Sequence, residues 1–116
     1  MDLNKAKERA FKNAELRGLY RDDPFVNNTL NALKHCAGEL LEAIDAYNLW
    51  TYEEEESEMF SLKENFENEL ADVITCILTV SEIEGVDIEK ALERVFEKNE
   101  KRIEKLKTKL RTAGRL

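Results

Sequence analysis

The feature that most constrains the fold is an apolar stripe with helical spacing over residues 62–80, which contains a carboxylate. On one helical wheel Glu69 falls inside the stripe and Asp72 at its edge, and the two point the same way because they are three apart. A carboxylate facing a core is costly unless it is paired or bound to a cation, so this pair predicts a cation site. The apolar members of the stripe are Leu62, Phe66, Leu70, Val73, Ile77 and Val80.

The composition of the chain is that of a small all-helical protein. Its 116 residues include one Pro and four Gly, which allows long helices, and the 37% of charged residues suits solvated helix faces. No strand-like alternation of apolar and polar residues is present. We therefore predict an all-α bundle of about four helices that forms one domain over residues 1–116. Residues 1–25 are expected to form an N-terminal helix and loop, and residues 112–116 a frayed tail.

Turn and capping signals divide the chain into these helices. Gly18 and Gly85 are the expected stop residues after the first and third helices. Ser61, with Glu64 three residues later, forms a capping box that predicts the start of the third helix, and Asp87 is the expected N-cap of the fourth. The predicted helices span about residues 3–17, 26–48, 61–84 and 88–111.

The second predicted helix carries another acidic pair. Its core face is expected to be an apolar stripe made of Val26, Leu30, Leu33, Ala37, Leu40, Leu41 and Ile44. Glu39 falls elsewhere, beside Ala43 and Ala46, where small side chains let another helix or a ligand approach. Glu42 lies about 60° from Glu39 on the wheel. If the two pairs face each other, four carboxylates meet, and such a cluster repels itself without a cation.

The ligand types favour Mg²⁺, a hard cation that binds oxygen ligands. The chain has one His and no CxxC motif, which argues against zinc and non-haem iron. Asp and Glu make up 25 of the 116 residues, so pairs such as Glu53 and Glu56 also recur by chance. Surface ion pairs are therefore the alternative to a cation site.

The motifs also resemble those of a known family. The sequence ELLE at residues 39–42, followed by ELAD at residues 69–72, resembles the ExxE…ExxD signature of the MazG-like family of all-α nucleoside triphosphate pyrophosphohydrolases. Residues 85–92 are similar to the turn into the last helix of that family, and N-x-x-R at residues 99–102 is similar to its ending. Residues 14–24 resemble the lead-in of some phage-related members.

This resemblance implies Mg²⁺-dependent hydrolysis of an NTP or dNTP to a nucleoside monophosphate and pyrophosphate, as nucleotide-pool housekeeping. Its implied metal ligands are Glu39, Glu42, Glu69 and Asp72. We expect Glu42 to be the general base, because the wheel places it off the face of Glu39. Asn99 and Arg102 are expected to contact phosphates, with Lys98 as a further substrate-binding residue. Asn99 has an alternative role as a buried amide that fixes a helix interface.

Three positions depart from the pattern of the family. His35 and Cys36 stand where many members carry two Glu residues, and Val95 stands where many carry a Lys. These departures motivate an alternative function, that of a non-catalytic MazG-like nucleotide-binding or helical interaction module.

The remaining expectations concern partners and location. A net charge of −7 argues against nucleic-acid or membrane partners. A cytoplasmic protein is expected for three reasons. The two cysteines lie in apolar helical patterns, the N-terminal segment is not apolar, and no run of about 20 apolar residues is present. Apolar surface left over by four helices predicts a homodimer or homotetramer. Loop aromatic residues either stack on a base or cap the ends of the core: Tyr20, Phe25 and Trp50.

Overall fold

Four α-helices make up most of the computed structural model, which describes residues 1–115. They are α1 (Leu3–Leu16), α2 (Asn28–Thr51), α3 (Glu56–Ile83) and α4 (Ile88–Thr112). No strand occurs within the described residues, so the prediction of an all-α fold is confirmed. The chain divides into two compact units, one with α1, α2 and α3 that ends at Val86, and one with α4 that begins at Asp87. The prediction of one domain over residues 1–116 stays a prediction.

Side-chain caps and glycines set most of the helix ends. Asp2 caps α1 by accepting a hydrogen bond from the backbone N–H of Asn4, and Asn27 caps α2. The predicted cap of α4 is confirmed, because the Asp87 carboxylate accepts a hydrogen bond from the backbone N–H of Lys90. Gly18 and Gly85 follow α1 and α3 with φ of 76° and 64°, a left-handed conformation that ends a helix and favours glycine.

The predicted start of α3 is wrong by five residues. The helix begins at Glu56, and Ser61 lies within it, where its hydroxyl donates to the carbonyl of Glu58 rather than capping a helix end. Two acids in the first turn, Glu56 and Glu58, interact favourably with the positive end of the helix dipole. Glu56 therefore starts the helix, and the loop before it is shorter than predicted. As a result α2 and α3 are joined by only four residues, 52–55.

Helices α2 and α3 form an antiparallel hairpin, onto which α1 packs against α3. Near the base of the hairpin, Thr29 of α2 donates a hydrogen bond to Glu84, just after α3. At the loop end Trp50 stacks on Phe66 and both contact Tyr47, with ring centroids 5.5–6.1 Å apart. Trp50 thus caps the core at the loop end of the hairpin, whereas Phe25 is fully exposed.

The prediction for the core face of α2 is wrong within the described chain. The buried residues of α2 are Ala43 and Ala46, on the small-residue face, with relative exposures of 2% and 4%. Small side chains at this position let the α2 and α3 backbones approach closely. The predicted apolar stripe instead lies largely exposed, as do several apolar residues of α3. These exposed side chains include Leu30, Leu33, Leu40, Leu41 and Ile44 of α2, and Leu70, Ile74 and Ile77 of α3.

The second unit consists of α4 and the residues that follow it. The helix is amphipathic, with exposed apolar residues such as Ile103 and Leu106. It ends at Thr112, where the frayed tail was predicted to begin; residue 116 of that tail lies outside the described residues. None of the helices described combines the length and the apolar character needed to span a membrane.

The close approach of α2 and α3 at Ala43 yields a stability prediction. Ala43→Leu inserts three carbons into a closely packed contact, so we expect a loss of about 1–3 kcal/mol in the free energy of unfolding. Asp45→Leu, at an exposed position of the same helix outside the apolar stripe, is the control and should change stability by less than about 0.5 kcal/mol. Urea unfolding of both variants measures the difference, and equal midpoints would show that Ala43 is not a packing contact.

Candidate metal centre

Three carboxyl groups from two helices meet in the first unit. One carboxylate oxygen each from Glu39 of α2 and from Glu69 and Asp72 of α3 lie within 4.8 Å of one another. The antiparallel hairpin explains this meeting, because residues three apart on α3 share a face and that face lies against α2.

Glu42 belongs to the same group. Its charge acts on both Glu39 and Glu69, and it can form a hydrogen bond with either of them. The structure therefore brings together all four acids of the two sequence motifs. We refer to Glu39, Glu42, Glu69 and Asp72 as the acidic cluster.

The acidic cluster has a buried side and an open side. Glu39 and Glu69 are half-buried, and the Oε2 atom of each is buried without a hydrogen-bond donor among residues 1–115. Glu42 and Asp72 are exposed. Buried carboxylate oxygens normally have a partner, so these two atoms indicate that a cation or a proton completes the cluster.

The electrostatics of the cluster agree with its geometry. Burial raises the pKa of Glu39 above its ordinary value, and repulsion from Glu42 and Asp72 adds to the rise. Burial raises the pKa of Glu69 as well, with further repulsion from the other three carboxylates. The hydrogen bond between Glu42 and either acid raises these pKa values further, and it forms only when one carboxyl keeps a proton.

His35 is the basic partner of the cluster. Its Nε2 atom lies 3.2 Å from Oε1 of Glu39, one helical turn away on α2, and its side chain is 49% exposed. The charge of His35 opposes the rise in the pKa of Glu39. His35 thus contacts Oε1 of Glu39 and leaves the buried Oε2 atom without a hydrogen-bond donor among residues 1–115.

The donor set fits a hard divalent cation. It consists of carboxylates from two helices. Two of their oxygens have no hydrogen-bond partner among the described residues. Mg²⁺ takes one or two carboxylates and completes its shell with water and substrate phosphates, for which the exposed side of the cluster leaves room. The role of the four acids as metal ligands stays a prediction.

A cavity of about 550 Å³ adjoins the cluster, between α1, the loop after it, α2 and α3. The loop wall is held in place by Asn28, whose side-chain amide accepts from the backbone N–H of Arg21 and donates to its carbonyl. Asn13 of α1 and Arg17, the C-cap of that helix, line the cavity and were missed by sequence reasoning. Its lining includes Asn13, Arg17, Tyr20, Asn31, Glu39 and Asp72. Of the three loop aromatics, only Tyr20 reaches this cavity.

The two cysteines are free and half-buried, and both lie close to the site. Cys36 approaches the carbonyl of Val73 with its Sγ atom at 3.9 Å, and Cys76 lines the cavity. Burial raises the pKa of the Cys76 thiol to about 11, with further repulsion from Cys36 and from the acids of the cluster. Cys76 is therefore a neutral thiol at physiological pH.

The predicted phosphate contacts lie in the other unit. Lys98, Asn99 and Arg102 are exposed residues of α4, and Asn99 and Arg102 share a helix face because they are three apart. Their binding of substrate stays a prediction.

The fold and the cluster define an all-α protein with an acidic site built from two adjacent helices. Residues 26–107 match the family model described as the MazG nucleotide pyrophosphohydrolase domain. The match covers more than half of the chain, so the chain belongs to this family. Neither the curated proteins nor the solved structures gave a match. Helix α1 and most of the loop after it precede the matched segment.

The raised pKa values of Glu39 and Glu69 predict how pH and Mg²⁺ change stability. In the metal-free protein, the contribution of these groups is fully present below the ordinary pKa of 4.5 and is lost as pH rises through their raised values. A cation binds the ionised carboxylates, so MgCl₂ should raise the melting temperature more at pH 7.5 than at pH 4.5. Thermal melts in EDTA and in MgCl₂ at both pH values measure this, with Glu69→Gln expected to abolish the rise. A Mg²⁺ effect of equal size at both pH values would contradict the interpretation.

Proposed function

We propose that this protein hydrolyses a nucleoside triphosphate, an NTP or dNTP, to a nucleoside monophosphate and pyrophosphate. One observation carries the proposal: carboxylates from both acidic motifs converge, and two of their oxygens are buried without a donor among the described residues. Membership of the MazG nucleotide pyrophosphohydrolase domain family supports the same reaction. A role in nucleotide-pool housekeeping follows from this activity.

In the proposed site Glu39, Glu69 and Asp72 would hold Mg²⁺, with the exposed Glu42 beside them. Bound there, it would neutralise charge on the phosphates and lower the pKa of the attacking water. The half-buried position of Glu39 and Glu69 strengthens their interaction with a cation by excluding water from one side. His35 fixes the orientation of the Glu39 carboxylate through its contact with Oε1.

Glu42 is the proposed general base. It is exposed to water and it adjoins both half-buried acids. When the α–β phosphoanhydride is hydrolysed, Glu42 takes a proton from the attacking water and pyrophosphate leaves. Asn99, Arg102 and Lys98 are the proposed phosphate contacts from α4, where Arg102 can bind two oxygens at once.

A second candidate is a MazG-like module that binds nucleotide without cleaving it, or serves as a helical interaction module. The contact between His35 and Glu39 favours it, because a protonated His35 competes with a cation for the same carboxylate. The two candidates differ in whether product forms.

The reaction predicts pyrophosphate release that depends on Glu69. Incubation with a panel of NTPs and dNTPs in MgCl₂ should release pyrophosphate from at least one of them. Loss of a residue that only supports a metal ligand typically lowers activity by roughly 10- to 100-fold. Glu69→Gln removes a proposed ligand itself, so it should reduce turnover by more than this. The matched control is Glu67→Gln, an exposed acid of α3 outside the acidic cluster, which should keep wild-type turnover.

Two outcomes would contradict this prediction. Folded wild-type protein that releases no pyrophosphate from any member of the panel would exclude the hydrolysis. If it nevertheless bound nucleotide in a Mg²⁺-dependent way, the non-catalytic module would be favoured. Undiminished turnover by Glu69→Gln would remove Glu69 from the site.

We also propose that the protein is a homodimer or homotetramer. The argument rests on the large apolar side chains that α2 and α3 leave exposed, because soluble monomers rarely expose contiguous apolar patches of this kind. Association through such a face buries it against a second copy.

Light scattering tests the self-association. The wild-type mass should be two or four times that of the chain, and Leu41→Lys should lower it by placing a charge in the apolar stripe of α2. Leu49→Lys is the matched control: Leu41 and Leu49 are 64% and 61% exposed on the same helix, but Leu49 lies outside the stripe. A monomeric wild type, or equal loss of mass in both variants, would contradict the proposal.

A further inference from the structure

The cavity beside the acidic cluster contains one arginine, which belongs to the part of the chain before the family match. This residue is Arg17, at the C-terminal end of α1. It lines the same cavity as Glu39 and Asp72 but forms no salt bridge with either of them. Its guanidinium is therefore available to a ligand.

The packing of α1 against α3 determines where Arg17 lies relative to the acidic cluster. Lys7 donates from its Nζ atom to the carbonyl of Val86 at 2.6 Å, near the end of α3. Ten residues, or about 15 Å, further along the chain, Arg17 at the C-cap of α1 lines the same cavity as Cys76 of α3. Together these observations place α1 antiparallel to α3, with Arg17 near Cys76.

Arg17 is consequently close to the cluster. Cys76 follows Asp72 by four residues, about 6 Å along α3. A ligand group between Arg17 and the acidic cluster would meet a guanidinium on one side and, with a cation bound, a divalent charge on the other. A phosphate is the group that both of these bind.

The rest of the cavity is suited to a neutral group. It follows α2 from Glu39 to Asn28, eleven residues or about 16 Å. Apart from Arg17, His35 and the two acids of the cluster, its walls are apolar or carry uncharged polar groups, including Leu19, Tyr20 and Asn31. A triphosphate tail would find too little positive charge here, whereas a sugar and base match walls of this kind.

We propose that Arg17 binds a phosphate of the substrate and that the nucleoside lies in the α1 cavity beyond it. This inference rests on the proposed function for the identity of the ligand. It assigns a substrate-binding role to α1, which the family match does not include. A bidentate contact from the guanidinium to two phosphate oxygens would orient the nucleotide along the cavity.

The test measures binding rather than turnover. Titration calorimetry in MgCl₂ uses the non-hydrolysable α,β-methylene analogues of the common NTPs and dNTPs, one at a time. Arg17→Met keeps the length of the side chain but removes the charge, and should weaken binding of the tightest analogue by roughly 10- to 100-fold. Arg17→Lys should restore part of the loss because it keeps the charge. The matched control, Arg9→Met, lies on an exposed part of α1 outside the cavity and should bind like wild type.

The outcomes separate this inference from the proposed function. Equal affinity of Arg17→Met and wild type, with matching melting temperatures, would overturn the role of Arg17, as would a wild type that binds none of the analogues. A wild type that binds an analogue through Arg17 yet releases no pyrophosphate from the matching triphosphate would overturn the hydrolysis and leave the role of Arg17 intact.

Discussion

In the first unit, two closely packed helices hold carboxylates together that repel one another. The rest of the site depends on how this repulsion is offset. Ala43 and Ala46 allow α2 and α3 to approach, and this approach brings Glu39 of α2 to Glu69 and Asp72 of α3. The arrangement disfavours the ionised state of the cluster, since burial and mutual repulsion both raise the pKa of Glu39 and Glu69. A divalent cation reverses this balance, so we interpret the stability of the hairpin and its proposed chemistry as two results of one interaction.

The sequence was sufficient to predict the helical fold class, because one Pro, few Gly and clear 3.6-residue periodicity leave little alternative. It predicted the stop residues Gly18 and Gly85 and the cap Asp87 for local reasons of backbone conformation and hydrogen bonding. It failed at the start of α3, where a capping-box pattern at Ser61 competed with the preference of Glu56 and Glu58 for a helix N-terminus. It also misplaced the core of α2, because periodicity identifies an apolar face without saying what covers it.

The acidic cluster and the cavity differ in how far sequence could predict them. Helical wheels placed Glu69 on an apolar face and Glu39 on a small-residue face, and that pattern already indicated an unusual position for a carboxylate. The cavity depends on the pairing of α1 with α3, a contact between residues far apart in sequence that no local pattern encodes. Arg17 therefore became a candidate only once Lys7 and Val86 fixed the register of α1.

The measurement that tests the central claim most directly is a crystal structure of the protein grown with Mn²⁺, recorded at a wavelength where manganese scatters anomalously. We expect an anomalous peak between the carboxylate oxygens of Glu39, Glu69 and Asp72, the three that already lie within 4.8 Å of one another. Well-ordered carboxylates in those positions with no anomalous peak between them, at saturating Mn²⁺, would contradict the account.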